Sequence, residues 1–366
     1  MNPPAGVPPL VTVARMAAAR CDPLRNWDMR GQPSNSRLPP PPPEYEAVRR
    51  LLRAGADPNA RDAAGRASTE FAGDAGALGL FSLLVQYGAA PNGGPQATEP
   101  PWFGLLRRGA SLVRWEEPSW RYRWVQKLPA PVVALIEAWK LMPRGPFVTN
   151  QPVLPFLRSL GIDLTATNRN GGTILHGLAE SPGMSRAGGA GGLLFGMDGR
   201  AVSGVGKAWL PVFAEFRRAG VNPEARDRDG DTAWLAAWRH RALEYGVGLA
   251  TCGVDVKATN AAGANALHLL CESQASDRKG SLMPGPMVPY LVRLGVDPRA
   301  RDLRGRTPLH LAVATDRPAY LALDLLDAGA DPDAPDPAGT TPRGLVEASQ
   351  RADLLRAFGA RPRRSP

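Results

Sequence analysis

Three of the four histidines recur in like surroundings, in Thr173-Ile174-Leu175-His176, Asn265-Ala266-Leu267-His268 and Thr307-Pro308-Leu309-His310, while His240 stands apart near Trp234, Trp238 and Arg239. Imidazole nitrogen is a common zinc ligand, so metal chemistry is the first thing to test. Residues at the same place in successive helical segments are held about 8–10 Å or more apart, the spacing of packed helices. One tetrahedral ion needs its ligands at about 2 Å. No metal site is expected from these histidines.

Nucleophilic and phosphate chemistry fare no better. Cys21, Cys252 and Cys271 have neither the close pair spacing of a zinc or redox motif nor the even number of a closed disulfide set. Cys252 and Cys271 are expected to be small apolar filler. Gly204-Val205-Gly206-Lys207 is like the end of a phosphate loop, but Ala201 and Ala208 occupy the places that need Gly and Ser or Thr. Thr173, Thr232 and Thr307 fall where helices begin and are accounted for as caps. No nucleophile with a base, no facing carboxylates and no cofactor motif emerge, so no catalytic residue, cofactor or metal is assigned.

Charge and aromatic residues offer binding chemistry instead. The 366 residues carry 44 Lys and Arg against 34 Asp and Glu, a formal charge of +10, and only five of the basic residues are Lys. Arginine meets carboxylates in bidentate fashion, so Arg169, Arg226, Arg228, Arg301, Arg304 and Arg306 are candidate contacts for a protein partner with an acidic patch. Asp227, Asp229 and Asp231 interrupt this stripe, which disfavours a nucleic-acid backbone as the partner. Trp115, Trp120 and Trp124 lie in an Arg-containing stretch, and Trp234 and Trp238 lie near His240. Tryptophan with arginine makes interface hot spots, so all five are candidates too. The competing expectation for the Trp-rich stretch is a core of large rings; stacking on unpaired bases is a further alternative.

The elements that would position these residues are repeats. A Gly within Gly-Ala-Asp or a close variant recurs at Gly55, Gly88, Gly161, Gly220, Gly253, Gly295 and Gly329, at intervals of 33, 73, 59, 33, 42 and 34. A second register places Gly65, Gly171, Gly230, Gly263, Gly305 and Gly339 ten residues after most of these, each with Asp or Asn three positions earlier. Asx-x-x-Gly specifies a turn, because the short side chain caps backbone donors and Gly accepts a positive φ. Thr307-Pro308 after Gly305 then specifies a helix start. A second apolar helix over Tyr320–Leu326 ends at Ala328-Gly329. Each repeat therefore reads as turn, helix, short turn, helix.

Gly305-Arg306-Thr307-Pro308-Leu309-His310-Leu311-Ala312, closed by Gly329-Ala330-Asp331-Pro332-Asp333-Ala334, resembles the ankyrin repeat family. Weaker copies begin at Gly172, Asp231 and Ala264. The likeness is clear over 161–360, good over 45–92 and poor over 93–160. It implies an all-α solenoid, a stack of helix-turn-helix units with β-hairpin-like connecting fingers, whose concave face and finger loops bind protein. It also implies that His176, His268 and His310 hydrogen-bond within the turn framework.

The expected organisation is a Pro-rich arm over 1–43 with a short helix near Val13–Cys21, repeats over 44–92, and a divergent Trp-rich segment over 93–160. Repeats follow over 161–360, with insertions near 181–207 and 272–286, and a short basic tail over 361–366. Within the divergent segment, one or two repeats with helices near Trp102–Arg108, Pro131–Leu141 and Gln151–Leu160 are expected. The expected function is a non-catalytic protein-protein interaction module, favoured as a monomer. The alternatives are a nucleic-acid-binding protein and an enzyme with its site in 93–160. No apolar run reaches membrane-spanning length and no signal peptide is legible. A cytoplasmic protein, or one delivered into another cell without a recognisable leader, is expected; effector, immunity protein and adaptor in a bacterial setting all fit.

Overall fold

The computed structural model describes residues 7–20, 43–94, 97, 99–107, 161–180, 210–272, 287–314, 319–349 and 351–359. These form two compact bodies. The first holds the described residues up to Arg169 together with Ala219–Val221; the second holds Asn170–Glu180, the helix ending at Arg218, and the residues from Asn222 onward.

The N-terminal body contains α1 (Pro9–Arg20), α2 (Pro43–Arg53), α3 (Ser68–Asp74), α4 (Leu78–Gln86) and α5 (Trp102–Arg107). Pro9 suits the first helical position, where no amide hydrogen is needed. Leu10, Val11, Ala14, Ala17 and Ala18 then recur at helical spacing and are all buried, so α1 packs against α2, α3 and α4. Helix α2 places Glu44 and Glu46 in its first turn and Arg50 and Arg53 in its last, complementing the helix dipole. Helices α3 and α5 touch backbone to backbone: a Cβ on Gly104 would lie 2.5 Å from the Gly73 carbonyl carbon. Only glycine permits that approach.

An asparagine bridge fixes the order of the turns in this body. The Asn59 side chain donates to the Gly88 carbonyl at 3.0 Å and accepts from the Ala90 N–H at 2.8 Å. Asn92 repeats the arrangement, with the Gly161 carbonyl at 3.2 Å and the Asp163 N–H at 2.9 Å. In space, the turn next to 88–92 is therefore 161–165, although some seventy positions separate them in sequence. The helices expected near Pro131–Leu141 and Gln151–Leu160 lie outside the described residues.

The C-terminal body contains α6 (Ile174–Glu180), α7 (Leu210–Arg218), α8 (Ala233–Arg239), α9 (Leu243–Thr251), α10 (Ala266–Glu272), α11 (Met287–Arg293), α12 (Pro308–Ala314), α13 (Ala319–Asp327), α14 (Pro342–Ser349) and α15 (Ala352–Gly359). Helices α6, α8, α10, α12 and α14 pack one on the next, and α9, α11, α13 and α15 each pack on the helix that precedes them in the chain. This is a repeat-like pattern over part of the chain. Trp234, Leu235, Leu267, Leu270, Leu309, Leu321 and Leu325 fill the space between the helices. Both ends of α8 have local causes. The Thr232 hydroxyl caps it by accepting from the Leu235 N–H, and Arg241 ends it in the left-handed region at φ 54°, the part that Gly76 plays after α3.

The expected β-hairpin fingers do not form. Among the described residues there is no strand, only the isolated bridges Arg61↔Ala67 and Arg226↔Thr232. The reason is local saturation. In the turn at 227–230 the Asp227 N–H donates to the Asp231 carbonyl at 3.0 Å and the Gly230 N–H to the Asp227 carbonyl at 3.0 Å. Asp227 Oδ1 takes the N–H groups of Asp229 and Asp231 at 3.0 and 2.9 Å. The helix cap at Thr232 follows at once, so no residues remain to extend a ladder.

Candidate functional site

The same closed turn recurs at 260–263, 302–305 and 336–339, each with Asx Oδ1 accepting the second and fourth N–H groups that follow it. Successive tips are then fastened to each other through backbone. The Arg228 N–H donates to the Asn170 carbonyl at 2.8 Å, the Ala261 N–H to the Asp229 carbonyl at 3.0 Å, and the Leu303 N–H to the Ala262 carbonyl at 2.9 Å. Pro337 occupies the corresponding place in the next turn and has no N–H to give. Its ring instead abuts Gly305, where a Cβ would lie 2.4 Å from Pro337 Cδ. Gly305 thus meets two demands that exclude a side chain, a φ of 73° and a neighbouring turn in contact.

Arginine reinforces the row. Arg226 Nη1 donates to the Gly230 carbonyl of its own turn at 2.7 Å and to the Thr259 carbonyl of the next at 2.5 Å. Arg301 does the same with the Gly305 and Pro335 carbonyls at 2.7 and 2.6 Å. In the N-terminal body Arg61 donates to the Gly65 carbonyl and reaches Glu70. Beside the turns runs a chain of ion pairs. Asp231, 1% exposed, is held by Arg239 at 2.6 Å and by the Asn260 amide at 2.9 Å. Glu272 lies between Arg239 at 3.9 Å and Arg306 at 3.6 Å, and Arg306 grips Asp302 at 2.8 Å. The Arg306 guanidinium and the backbone donors around it keep the Asp302 carboxyl below its ordinary range against the opposing effect of burial, which is the larger single influence.

These contacts divide the sequence candidates. Arg226, Arg301 and Arg306 are occupied in holding turns together, a use that the recurrence of Arg directly before Asx at 61, 226 and 301 could have revealed. Arg169, Arg228 and Arg304 are exposed, and so are Arg226 and Arg301 despite their carbonyl contacts. Arg169 belongs to the N-terminal body, where its N–H donates to Glu99 at 3.2 Å. Trp234 and Trp238 are corrected from surface contacts to core: they are 1% and 0% exposed, their rings meet edge to face at 5.3 Å, and the Trp234 indole N–H donates to the Val256 carbonyl at 3.1 Å. Burying such large rings removes more apolar area from water than any surface placement would. Trp115, Trp120 and Trp124, the insertion at 181–207, and all of the insertion at 272–286 except Glu272, which ends α10, lie outside the described residues. Leu303, expected from the sequence at a finger tip beside Arg304 but not among the candidate contacts, is 79% exposed.

The three equivalent histidines are buried and each joins two repeats. In His176 and His310, Nδ1 accepts the backbone N–H of Thr173 and Thr307 at 3.1 and 3.0 Å, which leaves Nε2–H to donate to the Asp231 and Thr340 carbonyls at 3.0 and 3.1 Å. His268 Nδ1 accepts the Asn265 N–H at 3.2 Å and its Nε2 faces the Arg306 carbonyl at 3.1 Å. Burial is the largest influence on all three and holds each below the ordinary imidazole range. The unfolded chain, with pKa near 6.5, therefore takes up protons before the folded chain does. Stability should be fully present above about pH 6.5 and fall as pH drops below it toward the folded-state values. Chemical denaturation between pH 8 and 5 checks this; a midpoint that stays level, or the same slope in a variant with His176 and His310 replaced by Gln, would contradict it.

Among the described residues no group of three or more His, Cys, Asp or Glu is placed to hold a metal ion, and no helix is long and apolar enough to cross a membrane. Cys271 is buried, and burial pushes the half-buried Cys252 thiol up to about 11, so it is protonated at neutral pH.

Residues 304–337 match the family model described as Ankyrin repeat. That span runs from the exposed tip residue Arg304 through α12 and α13 to Pro337 at the next tip. No curated protein matches the chain.

Proposed function

We propose that the chain is a non-catalytic protein-binding module and that its partner docks on the row of turn tips in the C-terminal body. The observation that carries this reading is the chain of backbone hydrogen bonds from the 170 turn through 228–229 and 261–262 to Leu303, which presents exposed side chains from a pre-organised backbone. A surface ordered before contact loses little conformational entropy on binding. The match at 304–337 supports the same reading, because members of the ankyrin repeat family overwhelmingly bind other proteins.

Affinity capture from the native source on the full chain tests it. The informative variant is Arg228→Glu with Arg304→Glu, since Arg226, Arg301 and Arg306 hold the turns and their loss would confuse binding with folding. One protein should be retained by the parent chain and lost by the double variant at unchanged melting temperature. Equal retention by both, or retention of nothing above an unrelated control, would count against the reading.

A further inference from the structure

Within that row, Leu303 and Arg304 are unlike their neighbours. Leu303 is 79% exposed, against 43% for Leu210, 40% for Met16 and 38% for Tyr87, the other large apolar side chains that face water among the described residues. Its exposure is built in rather than incidental. The Leu303 N–H is bonded to Ala262, the turn is closed by Asp302, and the side chain leans over Gly263, where a Cβ would meet Leu303 Cγ at 3.3 Å. The tips on either side are Ala261-Ala262 and Pro337-Ala338, all exposed, so a short apolar strip crosses three turns with Leu303 at its middle.

Charge selects what can lie on that strip. Of the arginines flanking it, Arg306 is paired with Asp302 and Glu272, while Arg301 is exposed and bonds two carbonyls through Nη1 alone. The Asp302 carboxylate is buried and its Oδ1 serves the turn. Arg304 is exposed and only its backbone N–H is committed, to Asp302. A docking surface therefore sees Leu303 beside the exposed cation of Arg304, with the positive charge of Arg301 at the base of the same turn.

Resting on the protein-binding reading, we infer that Leu303 and Arg304 form the anchor of the interface and receive a protein segment carrying an apolar side chain beside a carboxylate. Leu303 supplies the water-excluding contact that makes an ion pair worth more than one in bulk solvent, and Arg304 sets orientation through bidentate bonds to the carboxylate.

Selection of displayed random short peptides on the immobilised full chain tests this, followed by titration of the enriched peptides against Leu303→Asp and Arg304→Glu. Both side chains lie outside the core, so both variants should melt with the parent. Enriched peptides should pair an apolar residue with Asp or Glu, each substitution should weaken them about tenfold or more, and Arg304→Glu should regain affinity for a peptide whose acid is changed to Lys. Peptides that bind both variants as well as the parent, or that lack an acid, overturn the anchor while the module reading stands. Displacement of the peptides by single-stranded RNA would also overturn it in favour of a phosphate ligand. A library that yields no binder, together with failed capture on the full chain, overturns both.

Discussion

Trp238→Ala should lower the unfolding free energy by about 3–5 kcal/mol, the cost of deleting a large buried ring with incomplete collapse of the space. The ring is 0% exposed, 5.3 Å from Trp234 and 6.1 Å from Tyr290 between centroids, and it lies so close to α9 that a Cβ on Gly246 would be 3.2 Å from Cζ2. It thus joins α8, α9 and α11, and no single neighbour can move in to refill it. Its indole N–H has no acceptor among the described residues. Trp238→Phe removes that unmet donor along with part of the ring, so it should cost markedly less than the alanine change. Urea denaturation of the two variants checks the order; equal losses would show that packing around this ring is looser than described.

Arg343→Ala should cost about 3 kcal/mol, in the range for removing one partner of a largely buried ion pair. Arg343 is 6% exposed, meets both oxygens of Asp333 at 2.5 and 3.1 Å, and donates to the Phe358 carbonyl near the end of α15. One guanidinium thus ties the start of α14 to the preceding turn and to the last described helix. Hydrogen bonding to Asp333 raises the Arg343 pKa further, so the cation persists at every accessible pH. Because α14 and α15 close the end of the row, the loss should be local. Amide exchange should rise over 342–359 while the turns at 227–230 and 260–263 keep their protection. A uniform rise over the whole C-terminal body would show that the end is not separable from the rest.

The sequence announced neither position as buried. Trp238 sits beside His240 and Arg239 in a stretch that, read alone, looks like a surface patch. It is core because α9 and α11 close over it, and neither helix is adjacent to it in a way that periodicity reveals. Arg343 is an arginine just inside the start of α14, and its burial depends on the Phe358 carbonyl returning to it from fifteen residues away. The reading of β-hairpin fingers failed for a related reason. Hairpins and closed Asx turns share Gly and Asp, and what separates them is whether the flanking residues have unmet backbone donors.

What the sequence determined by itself is the phase of the repeats. Asx-x-x-Gly closes its own turn and Thr-Pro starts its own helix through bonds that span four residues or fewer, so their positions follow from local chemistry wherever the segment lies. Tertiary structure decided which arginines bridge one turn to the next, because Arg226 and Arg301 find carbonyls 33 and 34 residues onward. It likewise decided that Trp234 and Trp238 are interior, that Leu303 is bare, and that the turn at 161–165 neighbours the one at 88–92. Each of these depends on a partner from another repeat, and the free energy of such a contact is set by where the chain returns rather than by which residues adjoin it.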